Sequence, residues 1–150
     1  MEHRIMSVVN ELIETSRDGE KGFTRAAEEV AEPQLKSLLL KRAQYCSTAA
    51  RELEEKVRAL GGKVDSGGSV SGAVHRGWVN VKAAVTGHDT ASILAETERG
   101  EDYAKKVYAE ALEESDLPAD LRQLIERQYR GVIANHDDVR DLRDTYKSRN

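Results

Sequence analysis

Only two prolines punctuate this chain, Pro33 and Pro118, and around them run four long stretches whose apolar residues recur at helical spacing. Proline disfavours helix in the residue before it but suits a first helical turn, so each marks the start of a new helix. Gly61-Gly62 closes the second stretch, Gly87 with Asp89 as N-cap opens the third, and Ser115-Asp116-Leu117-Pro118 separates the third from the fourth. The pattern predicts helices over about 3–31, 34–60, 89–114 and 119–147. Representative stripes are Ile5, Val9, Leu12, Phe23 and Val30 in the first, and Leu35, Leu39, Cys46, Leu53 and Val57 in the second. Ile93, Leu94, Ala104, Tyr108 and Ala111 mark the third, and Leu121, Ile125, Val132, Val139 and Tyr146 the fourth. The opposite faces are rich in charge, so each helix turns one side to a shared core.

Composition agrees: Ala, Glu, Lys, Leu and Arg make up 70 of 150 residues, about 47%, as in long helices. One cysteine excludes a disulfide scaffold, and no apolar run approaches the ~20 residues needed to span a bilayer. The first residues open straight into an amphipathic pattern without a signal-peptide core, so a cytoplasmic location is expected. A net charge of −4 with both signs interspersed argues against a nucleic-acid surface.

The length fits a single domain, 1–150. Short turns make helices one and two, and three and four, antiparallel hairpins. Between the hairpins, 61–88 is a long crossover that opens glycine-rich and carries a short amphipathic helix over about 71–85 (Val74, Trp78, Val81, Val85), capped by Ser69 or Ser71. The fold class is therefore all-α, a four-helix bundle of two antiparallel hairpins with the long crossover of ferritin-like proteins rather than an up-down-up-down bundle.

Polar positions supply the candidate site. Arg17-Asp18-Gly19-Glu20 aligns with Glu98-Arg99-Gly100-Glu101 at a spacing of 81, and helical phase places both Glu20 and Glu101 near the centres of their stripes. Aligning helices two and four at a spacing of 86 sets Gln128 opposite Arg42 in the repeat. The expected result is a mid-bundle polar layer of Glu20, Arg42, Glu101 and Gln128, with Asn135 facing in and Tyr45 and His136 at stripe edges.

Four helices, a crossover and an inward Glu on helices one and three resemble the ferritin-like di-iron proteins, in which helices two and four each add Glu-x-x-His. The segments Ser71-Gly72 through His75-Arg76-Gly77-Trp78, Thr86-Gly87-His88-Asp89 and Glu98-Arg99-Gly100-Glu101-Asp102 are similar to a narrower group, an uncharacterised bacterial ferritin-like four-helix-bundle family, a domain of unknown function. The resemblance implies a fold and a bacterial origin without an assigned reaction. The chain departs from the di-iron pattern: Arg42-x-x-Tyr45 and Gln128-x-x-Gly131 stand where Glu-x-x-His is expected.

A di-iron centre needs several carboxylates and imidazoles to neutralise two cations, whereas Arg42 brings a permanent positive charge. The leading expectation is a degenerate di-iron site, with no metal and no cofactor, in which Arg42 is counter-ion to the two glutamates and Gln128 is hydrogen-bonded into the layer. The alternative is one iron or manganese ion on Glu20 and Glu101, with Glu98, Tyr45 or His136 recruited, and oxidase or storage activity. His136 is otherwise a surface or capping residue. Cys46 is a small core residue, with Arg42 as the charge that would lower its thiol pKa. Trp78 covers an end or flank of the bundle, with a dimer contact as the alternative. No catalytic constellation emerges, and the glycine-rich loop lacks the Gly-Lys-Ser/Thr of a phosphate cradle. The functional expectation is a non-enzymatic bundle used in assembly or a stress-associated interaction, with a homo-oligomer through the bundle faces or the Trp78 helix left open.

Overall fold

A computed structural model describes residues 3–64 and 90–148. The described residues form four helices and no strand: α1 (His3–Glu29), α2 (Pro33–Ala59), α3 (Thr90–Leu112) and α4 (Ala119–Ser148). Every expected boundary lies within two residues of these. The short helix expected at about 71–85, its caps, Trp78 and the Asp89 cap lie outside the described residues. No described helix is long and apolar enough to cross a membrane.

Helix ends follow local chemistry. Glu32 is extended (φ −73°, ψ 121°), Pro33 takes the first helical position, and the Glu32 carbonyl accepts from the Lys36 amide at 3.0 Å. At the other end of α2, Gly61 adopts φ +84°. The Gly61 amide donates to the Arg58 carbonyl and the Gly62 amide to the Val57 carbonyl, at 3.0 and 2.9 Å, which is a Schellman closure. The carbonyls closing α3 are capped from the next helix: the Arg122 guanidinium donates to Leu112 O at 3.0 Å and also to Glu114 O.

Cross-helix bonds give the direction of each helix. Lys36 reaches Ala27 and Arg17 reaches Glu54, so α1 and α2 are antiparallel. Tyr108 meets Gln128 and Glu98 meets Arg143, so α3 and α4 are antiparallel. Between hairpins, Arg4 pairs with Glu114 and Ser16 with Tyr108, which sets α1 against α3 in opposite directions. Arg42 with Asp138 and Arg127 with Glu52 do the same for α2 and α4. Thus α2 runs parallel to α3, and the end of α2 lies at the opposite end of the bundle from the start of α3.

The seam between α2 and α4 is the most thinly packed of the four. Open clefts of about 640 Å³ (by Glu55 and Arg130) and about 330 Å³ (by Leu38 and Leu142) flank its middle. The apolar core falls into two separate clusters. One holds Ile5, Leu12, Leu53, Val57, Leu121 and Ile125, and the other Phe23, Val30, Leu35, Leu39, Ile93 and Leu94.

Candidate functional site

Between those clusters the small residues Ser16 and Gly19 and the polar residues Thr97, Glu101, Gln128 and Asn135 are all buried. Burying so many polar groups together is costly unless they bond one another. Ser16, Gln128 and Asn135 are bonded in two tiers rather than in the single expected layer, while Thr97 bonds the Leu94 carbonyl of its own helix.

The lower tier is centred on Gln128. Its Oε1 accepts from the Tyr108 hydroxyl at 2.8 Å. Its Nε2 donates to Ala49 O at 3.2 Å and to Glu52 Oε1 at 3.1 Å. Since Tyr108 spends its proton on Gln128, the Ser16 hydroxyl 3.4 Å away is the donor to the Tyr108 oxygen. One chain of bonds thus crosses all four helices.

The upper tier is centred on Arg42, and here the expected partners are wrong. The guanidinium does not bridge Glu20 and Glu101. Its Nη1 donates to Asn135 Oδ1, and its Nη2 donates to Asp138 Oδ2 at 2.6 Å. Its Nε is buried without a partner among the described residues. The cause is register. Tyr45 lies level with Gly131, and because α2 and α4 are antiparallel, residues equivalent at a spacing of 86 diverge in height on either side of that pair. Arg42 and Gln128 therefore sit about 9 Å apart along the bundle axis, six residues at 1.5 Å each.

Glu20 also departs from expectation. Its side chain is 37% exposed and lies 3.4 Å from Arg17, which is held more tightly to Glu54 at 2.6 Å. The buried stripe of α1 includes Ser16, Gly19 and Gly22, which turns the neighbouring Glu20 towards the rim. Glu101 is placed as expected, at 3% exposure. Among the described residues it has no hydrogen bond and no ion pair within 4 Å. Burial pushes its carboxyl up to about 8, with the charge of Arg42 pulling it down and Asp102 pushing it up.

Tyr45 and Cys46 fill notches on facing helices. A Cβ on Gly131 would lie 1.8 Å from the Tyr45 hydroxyl oxygen, and a Cβ on Gly19 2.9 Å from Cys46 Sγ. Burial raises the Tyr45 phenol. Burial, then Glu101 and Glu20, holds the Cys46 thiol well above its ordinary value against the opposing pull of Arg42, so Arg42 does not activate it. Ser16, Tyr45, Cys46, Glu101, Tyr108 and Asn135 help to line a small, partly open cavity of about 20 Å³, room for about one water molecule.

His136 is buried at 7% exposure, not a surface residue. Its Nε2 lies 2.5 Å from Asp102 Oδ1 and 3.9 Å from Glu98 Oε2, and its Nδ1 lies 3.2 Å from Asp137 Oδ1. Glu98 is in turn bonded by Arg143. The hydrogen bond from His136 is the main cause that lowers the exposed Asp137. Asp138, Glu52 and the hydroxyl of Tyr108 are partners that stripe analysis passes over. The helix-interior glycine Gly131, level with a tyrosine, was the available signal for the α2–α4 register.

The residues present do not fit the di-iron group that the fold resemblance implies. Helices α2 and α4 offer Arg42, Tyr45, Gln128 and Gly131 where ligands are needed. The guanidinium carries the wrong charge, and Gln128 has both polar ends committed. The alternative set is also dispersed: Glu20 faces the rim, while Glu98 and His136 belong to a cluster with Asp102 and Arg143. Among the described residues no group of three or more His, Cys, Asp or Glu is placed to hold a metal ion.

Comparison with curated proteins gives no match. A family pattern does match, across α1, α2 and α3, and it ends before α4. Over residues 4–114 the chain belongs to the family described as Domain of unknown function (DUF2383).

Proposed function

We propose that this protein is a non-enzymatic, ferritin-like bundle of bacterial origin whose metal layer has been replaced by side-chain bonds, and that it acts in the cytoplasm as an assembly or stress-associated scaffold. The observation that carries the reading is the Arg42 guanidinium bonded to Asn135 and Asp138, with Tyr45 seated on Gly131 beside it. A cation and a bulky phenol thus stand where α2 of a di-iron protein carries ligands, and Gln128 and Gly131 stand in those places on α4. The parallel course of α2 and α3 supports the ferritin-like part of the reading, because an up-down-up-down bundle sets them antiparallel.

The purified protein is incubated separately with ferrous iron and with manganese in air, desalted and assayed by elemental analysis. Metal below stoichiometric levels is the expected result. Stoichiometric retention that is lost in Glu101→Gln would replace this reading with the metal-carboxylate one, with oxidase or storage chemistry. Homo-oligomerisation belongs to the same proposal, and a concentration-dependent shift of Trp78 fluorescence would place that residue at the subunit contact.

A further inference from the structure

Glu101 and Arg42 share a neighbour in the upper tier. Glu101 is a buried carboxyl on the wall of a one-water cavity, without a bonding partner among the described residues. Arg42, whose charge it feels, has a buried Nε without an acceptor among the described residues. Asn135 joins the two, since it lines that cavity and accepts from Arg42. The other Arg42 partner, Asp138, is 57% exposed, and an ion pair so open to water holds weakly.

We propose that Arg42 has two resting positions and that the charge on Glu101 selects between them. With Glu101 neutral, the guanidinium bonds Asn135 and Asp138 at the α2–α4 seam. With Glu101 ionised, it turns inward onto that carboxylate and releases Asp138. The physical reason is the dielectric contrast between the two anions: attraction to the buried Glu101 carboxylate is little screened, whereas that to the exposed Asp138 is shared with solvent.

The groups around Glu101 leave Arg42 as its cationic partner among the described residues. From α1 comes Glu20, which with Glu101 acts on Cys46. Tyr45 and Cys46 of α2 and Tyr108 of α3 are each raised by burial and stay neutral. Asp102 of α3 opposes ionisation and is bonded to His136 of α4. The inference stands apart from the proposed function, because it concerns where Arg42 rests and not what the bundle serves.

The test is a ¹³C-detected titration of the Arg42 Cζ resonance from pH 6 to 9.5, assigned by its loss in Arg42→Lys. Protein is first stripped of metal with a chelator, so that this outcome and that of the metal-retention assay are read separately. The resonance should move between two positions with a midpoint below about 8, because the inward guanidinium favours the ionised carboxylate. Glu101→Gln should hold it at the low-pH position throughout, and Asp138→Asn should lower the midpoint by weakening the outer position. Asp138→Asn should also lower the melting temperature at pH 6 and leave it unchanged at pH 9.5. A resonance that does not titrate, or that titrates equally in Glu101→Gln, overturns the proposal.

Discussion

Gly131 lacks a side chain in a helix interior, a choice that costs about 1 kcal/mol relative to alanine, and the Tyr45 hydroxyl occupies the space that a Cβ would take. Gly131→Ala should therefore displace Tyr45 and destabilise the fold by about 1–3 kcal/mol through overpacking. In a Tyr45→Ala background the same change should become neutral or stabilising, as helix propensity takes over. Chemical denaturation of the four proteins of this double-mutant cycle measures the coupling, and additive effects would show that the two residues do not meet. Long charged side chains behave differently. Arg42 reaches Asn135 and Asp138 along a path that depends on α2–α4 register, so its bonds were not legible from its own helix. Glu20 was misplaced because Ser16, Gly19 and Gly22, small and weakly hydrophobic, form part of the buried stripe without announcing it.

At the scale of elements, helices were legible because their punctuation is chemical. Pro33 cannot extend a preceding helix, and Gly61 supplies the left-handed residue that ends α2. Nothing lies within 4 Å of a Cβ placed on Gly61, so Gly61→Ala isolates the backbone penalty from any clash. The expected loss is about 1 kcal/mol, a fall of roughly 2–4 °C in Tm for a chain of this length, read by thermal denaturation. A Tm equal to the parent's would mean that the α2 end relaxes freely. The cap on α3 has no such local signature. Arg122 supplies it from the first turn of α4 across the interhelix turn, and a sequence pattern gives no reason to prefer that arginine to any other on the surface.

For the whole molecule, the buried Glu101 carboxyl links fold stability to pH. Held at about 8 in the fold against an ordinary 4.5, it keeps its proton in the native state over a range in which the unfolded chain has lost it. Stability from this group is therefore complete below 4.5 and falls as pH rises, levelling off above about 8. At about 1.4 kcal/mol per pH unit the loss amounts to a few kcal/mol. Urea denaturation at pH 5.5, 7 and 8.5 should show this decline in the parent and a flatter profile in Glu101→Gln, with parallel profiles ruling out the linkage. The sequence made the buried glutamate of α3 legible because apolar residues bracket it at heptad spacing. Its proton affinity depends on burial by the neighbouring helices and on Arg42 of α2, and could not be read from α3 alone.

The two apolar clusters on either side of the tiers are separate sets of side chains. Substitutions such as Leu12→Val in one and Leu39→Val in the other therefore touch no common neighbour, and their effects on stability should simply sum. Over evolutionary time each end of the bundle is then free to exchange its packing residues without compensation at the other. Sequence drift can remodel the ends separately while the polar tiers keep the helices in register.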